Sequence, residues 1–218
     1  GVLSGTASRV QLVAEGTNLG RPAQMLLATG SSVDGASGTV SIVTGDSLDG
    51  ASGAINIRGG LGESAAGSVV VAAGDSVQGV GGDVTIASGG SLLQDSGDVA
   101  VTSASSVFNS GTLSLATGSA AEGESGVVTL ASGRSVVSSG SVTVQSGLGE
   151  SSSGTLQLIT GDAPDSGKVH VGSGAGDQTG SVALLSGNAF GRSGEVSVVT
   201  GTGQVGSSGE IVVASGAS

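Results

Sequence analysis

The sequence predicts an all-β fold, a parallel β-solenoid (β-helix) built from repeats of 13–15 residues. Three observations predict it. A repeat covers nearly the whole chain, each repeat holds an aliphatic pair at a spacing of two, and helical periodicity is absent.

The repeat is anchored on the Gly before each pair, at positions 38, 53, 67, 82, 97, 111, 126, 140, 154, 167, 180, 194 and 209. The unit reads G-x-Φ-x-Φ-x-[STAG]-G-x-x-x-x-x-S, with Φ aliphatic. Two more degenerate units precede it, around Val10/Leu12 and Met25/Leu27. The chain is therefore expected to be one repeat array over 1–218, degenerate over 1–37 and regular over 38–218. It lacks an initiator Met and a signal-peptide pattern, and the repeat runs through both ends without a polar cap. A segment of a longer array is the expectation.

Each element of the unit has a predicted task. Residues one and three of a strand share a face, so Val40 and Ile42 are expected inside, with Thr39, Ser41 and Val43 outside. Ile55/Ile57, Val69/Val71, Leu113/Leu115 and Val142/Val144 repeat the pattern. After the pair comes a column of small residues: Thr44, Gly59, Ala73, Ser88, Ser103, Thr117, Ser132, Ser146 and Thr160. Only small side chains there predict a crowded corner. The next Gly is expected to turn the chain with a positive φ. The Ser-Gly doublet makes a second corner.

Two units per coil, about 28 residues, are favoured over one. A 14-residue coil would be very narrow, whereas two facing sheets would interdigitate their pairs. The third residue after the corner Gly is mostly large and apolar in alternate units (Leu19, Leu48, Val77, Val107, Val136, Pro164, Phe190). In the others it is Val33, Glu63, Leu92, Ala121, Glu150, Asp177 and Gln204. Leu61-Gly62-Glu63-Ser64 returns as Leu148-Gly149-Glu150-Ser151, an even number of units later. Asp83 and Asp98, and Glu195 and Glu210, would stack about 4.8 Å apart in a one-unit coil, which like charges resist. With two units per coil, Val40 lies beside Val69 and faces Ile55, and Lys168 stacks next to Glu195.

Composition narrows the function. Of 218 residues 44 are Gly and 1% are aromatic; net charge is -11, and Lys and Arg total six. Scattered basic residues argue against nucleic acid and anionic membranes. No apolar run approaches the ~18 residues of a membrane span. Zero Cys excludes disulfides and thiolate metal sites.

Candidate chemistry is sparse. His170, the only histidine, falls in the outward column, and nothing marks a buried acid to orient it. "GTGQVG" (201–206) matches G-x-G-x-x-G, but another strand pattern follows where a dinucleotide site needs a helix. Asp46/Asp49 and Asp162/Asp165 pair acids in loops, without the per-coil motif of calcium-binding β-rolls. No N-x-[ST] sequon is present. Outward Thr columns are interrupted by charge, which weakens ice binding. The expectation is no catalytic, cofactor or metal residues, and no enzyme.

The Gly/Ser-rich unit, as in "GSVTVQSGLGESSSG", resembles repeat tracts of Gly/Ser-rich β-solenoid proteins of microbial or algal cell surfaces and of viral or phage fibres. The resemblance implies an extracellular or cell-surface fibrous role and no activity. The expected function is a stiff structural rod in a filament, appendage or surface coat. It would associate end to end or with other filament subunits. An adhesion module that takes a carbohydrate, a glycan partner, is the alternative, and ice binding is third.

Overall fold

A computed structural model describes residues 12–14 and 23–216; Val10 and Leu19 of the repeat columns lie outside them. It corrects the fold class. Among the described residues there is no strand and no helix, so the chain is not an all-β solenoid or β-helix; it is mostly irregular backbone. It divides into two units, Gly1–Gly111 and Thr112–Ser218.

The first unit alternates stretches without regular hydrogen bonding with bends at 33–35, 48–50, 63–64, 77–79, 92–94 and 107–108. The second does the same, with bends at 121–123, 136–137, 150–151, 164–165, 176–178, 190–191 and 204–206. Every bend contains the third position after the corner position, from Val33 to Gln204. The sequence repeat is thus a repeat of backbone bends. The large residues there sit at exposed tips in both alternating sets: Leu48 and Leu92 are both fully exposed. The apolar–polar alternation that favoured two units per coil therefore has no counterpart in burial.

What the bends do not produce is stacking. Cα atoms within 8 Å of each other are almost all fewer than twelve residues apart. Rungs of a solenoid would bring residues one or two units apart to about 4.8 Å. No ladder joins Val40 to Val69 or to Ile55, and the register that set Lys168 beside Glu195 lapses with the sheet.

There is also no core. No described residue is buried. The chain exposes 22273 Å², where a compact monomer of 20.1 kDa exposes about 8,700 Å² and an unfolded one about 29,000 Å². The predicted inward face survives only as a gradient. Val40 is 48% exposed and Ile42 64%, against 85% for the outward Val43. The physical reason is the thinness of the apolar content. Two half-covered aliphatics per repeat return little of the ~1.5 kcal/mol that ordering each residue costs.

The local geometry of the unit has two constraints. The first closes the neck of nearly every loop. The small-residue column packs against the Gly before the next apolar pair, except at Ser132, where Gly140 meets nothing within 4 Å of an added Cβ. A Cβ on Gly82 would lie 3.2 Å from Ala73 Cβ and 3.4 Å from Gly74 N. Thr44 stands against Gly53 and Thr117 against Gly126 in the same way. Three necks carry a backbone bond: Gly67 N–H donates to Gly60 O at 3.0 Å, Gly82 N–H to Gly74 O at 3.0 Å and Gly97 N–H to Gly89 O at 2.9 Å. Thr29 Oγ1 donates to Gly38 O at 3.2 Å. The crowding forecast for this column is therefore real. The forecast for the corner Gly is not, since none of the described glycines has a φ in the left-handed range, and Gly45 and Gly74 meet nothing within 4 Å of an added Cβ.

A second constraint sits at several of the bends and depends on the residue two places after the corner, which is Ser, Gly or Ala. At Ser76, Ser91, Ser106 and Ser135 the hydroxyl accepts amides of the bend, as in other Ser/Thr turns. Gly79 N–H donates to Ser76 Oγ at 2.8 Å, Gln94 N–H to Ser91 Oγ at 2.9 Å, and Val137 N–H to Ser135 Oγ at 3.2 Å. At Gly62, Gly149 and Gly203 a carbonyl three residues on takes the space. A Cβ on Gly62 would run into Ala65 O, one on Gly149 into Ser152 O, and one on Gly203 would lie 2.6 Å from Gly206 O. The duplicated Leu-Gly-Glu-Ser segments thus share one bend geometry.

Candidate functional site

The residues that could carry chemistry are spread along the bends rather than gathered. His170 is exposed, and its ring lies along the local backbone, with Nε2 3.3 Å from the place of a Cβ on Gly172. No acid is positioned with it in a group that could hold a metal. The imidazole stands in solvent with no hydrogen-bond partner among the described residues.

The paired loop acids fall at bends. Asp49 lies in the bend at 48–50 with Asp46 before it, and Asp165 lies in the bend at 164–165 with Asp162 before it. All four are exposed. Among the described residues no group of three or more His, Asp or Glu side chains is placed to share an ion. Each pair therefore stands as two solvated carboxylates, short of the six to eight oxygens a calcium ion takes.

The glycines of 201–206 have a structural use. Gly203 admits the Gly206 carbonyl at the bend 204–206, and irregular backbone rather than a helix follows. The phosphate reading requires a helix N-terminus there, which the backbone does not form.

The sequence pattern overlooked one column, the Ser at 32, 47, 76, 91, 106 and 135, two residues after the corner in those repeats. Its signal was present, since Ser recurs at a fixed offset and is a strong turn former. Its hydroxyls are structural acceptors in the bends at 76, 91, 106 and 135. Among the described residues the surface has no cavity. No family model, no curated protein and no solved structure matches the chain.

Proposed function

We propose that the chain is a non-catalytic structural protein, a repeat segment of an extracellular filament, appendage or surface coat, that works by associating with copies of itself or with related subunits. One observation carries the reading. The aliphatic pairs recur on the period of the bends, yet even their best-covered members, such as Val40, Ile55 and Val69, remain about half exposed. A periodic apolar surface that one chain leaves uncovered is what a repeating assembly covers. Adhesion through a lateral sheet face has lost the sheet that would present it, and a flat Thr array for ice has lost the same support.

The acidic surface sets the conditions. A net charge of -11 repels like chains at low ionic strength, and salt screens that repulsion over a Debye length of about 8–10 Å. Sedimentation and negative-stain imaging of the full chain, over a range of protein and salt concentrations, test the proposal. Elongated species that grow with both are expected. A chain that stays monomeric throughout overturns it.

A further inference from the structure

We propose that Asp34–Gly35 and Asp49–Gly50 are sites of spontaneous backbone modification, at which aspartate isomerises to isoaspartate through a cyclic imide. They are the chain's only Asp-Gly steps, they occupy the same place in consecutive repeats ("VDGASG" and "LDGASG"), and each lies inside an exposed bend.

The chemistry needs a free amide nitrogen beside a carboxyl, and room for the nitrogen to reach it. The nitrogen of Gly50 bonds to Cγ of Asp49, its proton and the carboxyl hydroxyl leave as water, and a five-membered imide remains. Water then adds back at one of the two imide carbonyls. Opening at the carbonyl that was the main-chain one leaves the chain running through the side-chain carboxyl, with one extra methylene in the backbone. Water is the only co-reactant, and nothing is oxidised or reduced.

The structure favours these two sites in three ways. Gly has no Cβ to block the approach, and the space around Gly35 and Gly50 is open: an added Cβ would meet only Ser32 Oγ at 3.9 Å and Ser47 Oγ at 3.5 Å. The amides are also unclaimed. In the bend at 77–79 the corresponding amide, that of Gly79, is held by Ser76 Oγ, and in the bend at 92–94 that of Gln94 is held by Ser91 Oγ. Ser32 and Ser47 stand in the same column, yet the Gly35 and Gly50 amides make no hydrogen bond to them or to any other described residue. Finally, no core restrains the backbone, so the rotation the ring closure needs disturbs no packed side chain.

The result is a chemical record of age in two adjacent repeats. An extra methylene at the tip lengthens the loop whose neck is Thr44 against Gly53. The isoaspartyl carboxyl is also a group that carboxyl methyltransferases using S-adenosylmethionine recognise.

The test is prolonged incubation of the full chain at neutral pH and physiological temperature, followed by digestion with a protease that cuts before Asp but not before isoaspartate. Methyl transfer by an isoaspartyl methyltransferase gives the second readout. Cleavage before Asp34 and Asp49 should fall severalfold faster than before Asp75, Asp95 and Asp165, each of which precedes Ser, with methyl acceptance rising in step. The paired variant Gly35→Ala, Gly50→Ala, whose added Cβ atoms fit the open space, should lose most of that signal. Equal loss at all five aspartates overturns the proposal. So does a chain that reacts far more slowly than a synthetic peptide spanning 43–53, since the bend would then be protecting the site.

Discussion

Replacing Ile42 by aspartate is expected to leave the isolated chain as it is and to weaken its assembly strongly. Within one chain Ile42 is 64% exposed, so the new carboxylate stays in water. Exposed substitutions change stability by no more than about 0.5 kcal/mol, and the far-UV circular dichroism and hydrodynamic radius should not move. In an assembly the same position is covered. Losing a buried aliphatic forfeits about 1.5–3 kcal/mol, which is tenfold or more in the concentration at which assemblies form. The added charge acts in the same direction. Ser41→Asp, on the outward side of the same segment, should change that concentration much less. If Ile42→Asp instead collapses the structure of the isolated chain, the residue is in a core and the exposed-pair description fails.

Heating the isolated chain in a calorimeter should give no cooperative transition. A packed domain of 218 residues absorbs about 0.7 kcal/mol per residue on unfolding, roughly 150 kcal/mol in all. That heat comes from breaking a core and its ordered hydrogen bonds, and the described residues have neither a core nor ladders. The bends and necks are local, so they loosen one by one as temperature rises. A sharp peak near the size expected for a packed domain would contradict this.

The contrast between the two halves of the sequence pattern explains what was legible. That the chain turns in every repeat was visible because the cause is local, but the turns were expected at the corner Gly and at the Ser-Gly doublet, and the bends fall between them. Position three after the corner turns whether it is Leu48, Glu63, Val77 or Gln204, so the bend does not depend on that side chain; a Ser hydroxyl supports it at Val77 and a close carbonyl beside Gly62 and Gly203 at Glu63 and Gln204. Thr44, Ala73, Ser88 and Thr117 are small because the next Gly comes against them, and this too could be read from the column. The glycine that matters was misassigned. Turning was credited to the corner residue, as at Gly45, which has open space, while the close approach falls on Gly53 and Gly82. A run of glycines does not say which of them is crowded.

The stacking was not legible because alternation names a face and not its cover. Val40 and Ile42 alternate with Ser41, which specifies the side that would be buried if a partner surface arrived. The gradient from Val40 to Val43 keeps that preference. Whether the cover comes from the same chain depends on a balance between burial and ordering entropy. With two aliphatics and several Gly per repeat, that balance fails within one chain. His170, expected on the outward side of a strand, and Asp46/Asp49 and Asp162/Asp165, expected in loops, are exposed like nearly every described residue, so their exposure does not separate an outward column from an inward one.

Amide hydrogen exchange of the monomeric chain at low salt tests the central claim most directly, that the repeat shapes the backbone without building a ladder or a core. The account predicts exchange close to that of an unprotected chain through Thr39–Val43 and its counterparts in every repeat, with modest protection confined to amides that are held locally, such as those of Gly67, Gly82 and Gly97. Strong protection alternating along Thr39–Val43, and recurring at the same positions in each repeat, would show a stable hydrogen-bonded ladder within the single chain and would contradict it.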